Sequence, residues 1–169
     1  MTLVLGIDPG TATTGYGLVR DREDGSLQSL IYGTIQTPAG VAAHQRLSML
    51  FHQLTDLILL HRPDSCAVEK LFFQSNVKTA IAVGQARGVV LLAISEAGLD
   101  MGEYTPNEVK QAVVGYGSAG KKQVQDMVRV LLELPEIPRP DDAADALAIA
   151  ITHLHTRNFE MRRRGESES

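Results

Sequence analysis

Four carboxylates, Asp8, Glu69, Asp142 and Asp145, are the side chains in this sequence whose type and setting point to chemistry. Asp8 closes the apolar run Leu3-Val4-Leu5-Gly6-Ile7, and Pro9-Gly10 turns the chain directly after it. Aspartate before Pro-Gly is also ordinary turn chemistry, so taken alone Asp8 admits both readings. Glu69 ends the run Cys66-Ala67-Val68, and a carboxylate beside a core is costly unless it is paired or bound to a metal. Helix capping and the helix dipole account for Asp141 or Asp142 after Pro140. They account poorly for Asp145, which is surrounded by Ala143, Ala144, Ala146, Leu147 and Ala148. Asp142 and Asp145 are three apart and share a helix face. An all-oxygen set with no histidine pair at zinc spacing suits Mg²⁺ or Mn²⁺. Two such ions about 3.5 to 4 Å apart can activate water at a phosphodiester and stabilise the departing oxygen.

These residues must be positioned by a domain of ordinary size. The chain has 169 residues, 44% hydrophobic and 21% charged, and one domain is the default at that length. A chain of this size buries roughly 70% of its unfolded surface, which makes disulfides or a structural metal unnecessary for folding. Cys66 is the only cysteine, which excludes an intramolecular disulfide and suits a reducing cytosol. No apolar run approaches the roughly 18 residues of a membrane span, and the start lacks signal-peptide features, so the expectation is a soluble cytoplasmic protein without membrane contact. The net charge of −4 is uneven: residues 1–69 carry four basic and seven acidic side chains, 70–130 seven and five, and 131–169 five and eight. A basic middle is thus bracketed by carboxylate-bearing ends.

The elements follow from pattern. Residues 3–8, 16–19 and 27–35 read as strands joined by short turns, which favours an antiparallel meander. Leu47, Leu50, Phe51, Leu54, Leu57 and Ile58 fall at helical spacing up to the Arg62-Pro63 stop. Residues 66–69 form a fourth strand. Asn76 is placed to cap a helix through Ile94, in which Gly84 and Gly88 call for close packing to offset about 1 kcal/mol each. Residues 101–104 make a fifth strand, and helices are predicted after Pro106, over 121–132 and over 141–155. The prediction is a single domain over 1–156 and a disordered tail over 157–169, rich in arginine, glutamate and serine. The fold class is α/β, a mixed sheet of three antiparallel strands followed by two more with helices on both faces, an order that resembles the ribonuclease-H-like arrangement.

Five segments in order resemble the RuvC family of bacterial Holliday-junction resolvases. They are Gly6-Ile7-Asp8-Pro9-Gly10 with Thr14-Gly15-Tyr16-Gly17, Val68-Glu69 with Phe72-Phe73, Gly84-Gln85-Ala86-Arg87-Gly88, Val109-Lys110-Gln111 with Val113-Val114-Gly115, and Asp142-Ala143-Ala144-Asp145-Ala146-Leu147-Ala148. The match runs in order from about residue 3 to 155. The resemblance implies a ribonuclease-H-like fold, a homodimer, and Mg²⁺-dependent paired nicking of four-way DNA junctions in concert with the RuvA and RuvB branch-migration proteins. It places the family's metal-binding carboxylates on Asp8, Glu69, Asp142 and Asp145, with two ions expected and Mn²⁺ as a substitute.

The same resemblance assigns DNA contacts. Lys110 and Lys121 match the family's functional lysines, and a lysine near a scissile phosphate is a point charge suited to developing negative charge. Lys122 adjoins Lys121, and sequence alone does not choose which of them faces the phosphate. Phe72 matches the junction-opening aromatic, for which stacking on an unpaired base is worth about 1 to 3 kcal/mol. Phe73 is open to stacking or to a core role, and Arg87 to phosphate contact or a surface ion pair. His153 and His155, late in the last helix, read as dipole-favoured cations. Two alternatives stand beside this reading. An actin-like or sugar-kinase-type nucleotide-binding protein would use Asp8-Pro9-Gly10-Thr11 as a phosphate loop but needs a second comparable domain. A noncatalytic junction-binding module gives no reason for the four carboxylates.

Overall fold

The computed structural model describes residues 1–70 and 77–167. Strands β1 (Leu3–Asp8), β2 (Thr13–Asp21) and β3 (Leu27–Gln36) form the antiparallel meander. Strands β4 (Ser65–Glu69) and β5 (Asp100–Tyr104) extend the sheet on the other side of β1, both running parallel to it, so the order is β3-β2-β1-β4-β5. β1 and β4 are near-continuous apolar runs because both of their faces are covered.

Helices α1 (Ala43–His61) and α2 (Val77–Glu96) cover one face. Leu50, Leu54, Ile58, Ala86 and Val90 pack there on Leu3, Leu5, Ile7, Cys66 and Val68. Helices α3 (Pro106–Val114), α4 (Lys121–Leu131) and α5 (Asp141–Ser167) cover the other, where Val4, Val19 and Ala67 meet Val109, Val128, Leu147 and Ile151. Local signals set the helix ends. Arg62 in the left-handed region closes α1 ahead of Pro63, and Thr105, Pro106 and Glu108 build a capping box at the start of α3.

The seat of α5 is made by glycine. A Cβ at Gly6 would lie 2.0 Å from the Ala146 carbonyl oxygen, and one at Gly15 2.0 Å from that of Asp142. Gly6 pairs with Gly17 and Asp8 with Gly15 across β1 and β2, so the two strands open a trough into which the start of α5 drops.

Three expectations are corrected. α5 does not stop at His155 but continues to Ser167, so residues 157–167 are helical where a disordered tail is predicted; no proline interrupts the Thr156 to Arg164 stretch, which is rich in helix formers. Gly84 and Gly88 have open space where a Cβ would sit, not a close intramolecular packing. By length and composition α2 is long and apolar enough to cross a membrane, because its small residues outweigh Lys78 and Arg87, although Ala86, Val90, Ala93 and Ile94 pack it into the core. Asn76, the predicted α2 cap, lies outside the described residues.

Candidate active site

Alternation along β1 sends Ile7 to the α1/α2 face, which leaves Asp8 on the α5 face beside Gly6 and Val4. Asp142 and Asp145 come from the first turns of α5, brought down by the glycine trough. Carboxylate oxygens of Asp8, Asp142 and Asp145 all lie within 4.8 Å of one another. A small cation about 2.0 to 2.6 Å from each oxygen fits such a spacing, and a hard, all-oxygen donor set is the set that Mg²⁺ and similar ions take. Glu69 is outside this close group. It ends β4 one residue beyond the Ile7–Val68 pair, beside Asp8, and it lines with Asp145 a cavity of about 210 Å³.

Burial of like charges sets the electrostatics. Asp8 is pushed up to about 8, first by desolvation and then by the Glu69, Asp145 and Asp142 carboxylates, against the pull of Lys121. Desolvation also raises Glu69, helped by Asp145 and opposed by Lys121. Asp145 is raised by its burial, with Lys121 again opposing. The Lys121 ammonium is partly desolvated, yet Asp145 and Asp141 hold its pKa above the ordinary lysine value.

The two adjacent lysines separate here. Lys121, at the start of α4, places Nζ 3.4 Å from Asp141 Oδ2 and 3.5 Å from Asp145 Oδ2; both lysines are exposed, and it is Lys121 that pairs with the carboxylates. Lys110 of α3 lines the same cavity as Lys121 and Glu69. Arg87 stands apart: its Nη2 is 3.1 Å from Glu103 Oε2, an ion pair between α2 and β5, which is the bland alternative for this residue. Phe72 and Phe73 lie outside the described residues.

Asp141 departs from its reading as a backbone cap. Its Oδ1 accepts hydrogen bonds from Gln125 Nε2 at 3.1 Å and Arg139 Nη1 at 2.6 Å, while the Ala143 and Ala144 amides in the first turn of α5 donate to the Pro140 carbonyl. His153 also departs from its expected role. Its ring sits over Gly102 with Nε2 3.1 Å from Ser65 Oγ and Nδ1 2.8 Å from Tyr104 Oη, and burial lowers its pKa, so it is a neutral polar link and not a helix-end cation. Sequence reasoning missed Gln125, which is buried, and the structural role of Gly6, Gly15 and Gly17. The signal for the glycines was present: Gly15 and Gly17 are two apart on a strand and so open one face.

Comparison with known proteins bears on this arrangement. The family model described as Crossover junction endodeoxyribonuclease RuvC matches residues 4–153. The Crossover junction endodeoxyribonuclease RuvC of Syntrophomonas wolfei is 56% identical over 153 residues, covering 90% of this chain and 88% of that one. Its counterpart from Rubrobacter xylanophilus is 58% identical over 151 residues, 89% and 84% of the two chains. Among solved structures, Thermus thermophilus RuvC superposes with a TM-score of 0.87 at 38% identity over 94% of this chain and 96% of that one. The same protein in complex with Holliday junction substrate gives 0.85 at 36% identity over 93% and 96%.

Proposed function

The chain belongs to the RuvC family of crossover junction endodeoxyribonucleases, and from that premise we propose that it resolves four-way DNA junctions by paired, symmetric, divalent-metal-dependent nicks during recombination and repair. The observation that carries the reading is the convergence of Asp8, Asp142 and Asp145 within one ion's reach, in a chain matched to the family over nearly its whole length. Asp8, Asp142 and Asp145 are the metal ligands and Glu69 completes the carboxylate set, with Mg²⁺ the working ion, two per site, and Mn²⁺ its substitute. A divalent ion bound there supplies Lewis-acid polarisation of the phosphodiester and a nucleophile available at neutral pH. The protein's own part is to orient and neutralise. Lys121 and Lys110 border the same cavity and present positive charge where negative charge builds on the scissile phosphate. Phe72 opens the crossover by stacking, Phe73 assists it, and Lys122 adds to the field felt by the DNA.

The enzyme works as a cytoplasmic homodimer with RuvA and RuvB, since symmetric nicking needs two sites related by a two-fold axis. Support for a dimer face comes from α2, whose exposed residues Val77, Ile81, Gly88 and Leu92 carry no charge. A nucleotide-binding protein of the actin or sugar-kinase type gains nothing from the family match over residues 4–153. The deciding experiment is cleavage of a synthetic four-way junction by the purified protein. Mg²⁺ or Mn²⁺ should support paired nicks and Ca²⁺ binding without efficient cutting, because the larger ion takes looser coordination. Equal rates with all three ions, or none with any, would overturn the reading.

A further inference from the structure

A second groove, of about 580 Å³, opens at the turn that follows Asp8, on the α1/α2 side of the sheet and away from the cavity that holds Lys110 and Lys121. Its walls are the Gly10 to Thr13 turn, the first turns of α1 with Arg46, and the start of α2 with Lys78 and Gln85. Among the described residues no carboxylate lines it, in a chain with 20 acidic side chains and a net charge of −4. The groove is tied together by hydrogen bonds. Thr11 Oγ1 donates to the Ala82 carbonyl at 2.8 Å, joining the turn to α2, and Thr37 Oγ1 donates to the Thr11 carbonyl at 2.6 Å. Arg46 Nε donates to Thr37 Oγ1 at 2.9 Å and its Nη2 to the Thr37 carbonyl at 3.3 Å, which fixes the guanidinium and leaves Nη1 outside these bonds.

Four segments are therefore held in register around a cationic, hydroxyl-lined groove that exists before any ligand arrives. Three residues of chain span at most about 10 Å, so the Thr11 wall of the groove lies within about three nucleotides' rise of Asp8, at about 3.4 Å per nucleotide. We propose that this groove holds the sugar–phosphate backbone of a DNA strand within a few nucleotides of the phosphate at the carboxylate site, with Arg46 and Lys78 as its phosphate contacts. The inference rests on the junction-cleaving reading and extends the substrate footprint across the sheet edge to the face opposite Lys110.

The test is the salt dependence of junction binding, followed by fluorescence anisotropy with Ca²⁺ present between 50 and 200 mM salt, for the full-length protein and its Lys78→Ala, Arg46→Ala and Arg46→Lys variants. Loss of one phosphate contact should reduce the slope of log Kd against log salt by about 0.7 to 0.9, so each alanine variant should show that reduction while Arg46→Lys keeps the wild-type slope. A merely structural role for Arg46 weakens binding without moving the slope, and the Thr37 contacts are made by Arg46 and Thr11. Unchanged slopes in both alanine variants, with or without weaker binding, overturn the groove while leaving the junction reading intact. Wild-type protein that neither binds nor cuts junctions overturns that reading, and the groove with it.

Discussion

The Lys121 ammonium lies 3.5 Å from the Asp145 carboxylate and thereby ties the start of α4 to the first turns of α5. The lysine is more than half exposed, so the pair contributes little to stability. Its value is positional: it stands beside a group of carboxylates that repel one another, and it lines the cavity into which Glu69 opens.

Lys121→Met should therefore lower the cleavage rate by about 100-fold or more, the scale of losing one stabilising group at developing charge. Junction affinity should change far less. Lys122→Met should have the smaller effect on rate of the two, since the ion pairs to Asp141 and Asp145 are made by Lys121. Single-turnover cleavage beside gel-shift affinity for both variants checks the order.

The adjacent aspartates should separate. Asp142→Asn and Asp145→Asn each remove a charge from the close oxygen set without changing side-chain size, so cleavage should fall below detection with binding retained. Asp141 binds Gln125, Arg139 and Lys121, and Asp141→Asn should keep measurable cleavage at a several-fold reduced rate through a less well held Lys121. An inactive Asp141→Asn beside an active Asp142→Asn would shift the site by one residue.

Asp8 makes metal binding pH-dependent. With its pKa raised to about 8, the metal-free protein carries a proton there at pH 7 that an incoming cation must displace. Mg²⁺ affinity should rise with pH from 6 to 8, with proton release visible by calorimetry in buffers of different ionisation enthalpy. For stability the sign is opposite. The native state binds this proton more tightly than the unfolded chain, whose ordinary value is 3.8, so the Asp8 contribution is present below that value and is lost as pH rises through about 8. Thermal melts without metal should show the loss, and Asp8→Asn should flatten it.

Gly15→Ala tests the trough. The new Cβ would press on the Asp142 carbonyl, and backbone on both sides leaves no side chain to swing away. Urea unfolding should show a loss of about 1 to 3 kcal/mol, the usual scale of overpacking. Cleavage should fall even where the protein remains folded, because α5 is lifted at the turn that carries Asp142.

Much of this was legible in the sequence because it is local or periodic. The apolar runs of β1 and β4 announce strands covered on both sides, and the three-residue spacing of Asp142 and Asp145 announces one helix face. What escaped depends on where elements meet. Lys121 differs from Lys122 only through the phase of α4 against α5. Whether Arg87 faces DNA or Glu103 depends on the position of β5 beside α2, and the His153 environment requires Gly102, distant in the chain, to clear space for the ring. The extension of α5 escaped because residues 156–164 are mostly polar and carry no apolar period, while no proline marks a stop before Ser167.

The position of α5 in the chain also governs when the protein becomes able to cut. It carries Asp142 and Asp145, and the trough that receives it is built from β1 and β2 at the other end of the sequence. A ribosome emits the trough first and the helix last, so a nascent chain, or one truncated before Asp141, carries Asp8 and Glu69 without the partners that complete the ion's seat. The carboxylate cluster is thus completed only once α5 has been made, and a chain that stops short of it lacks two of the three close oxygen ligands.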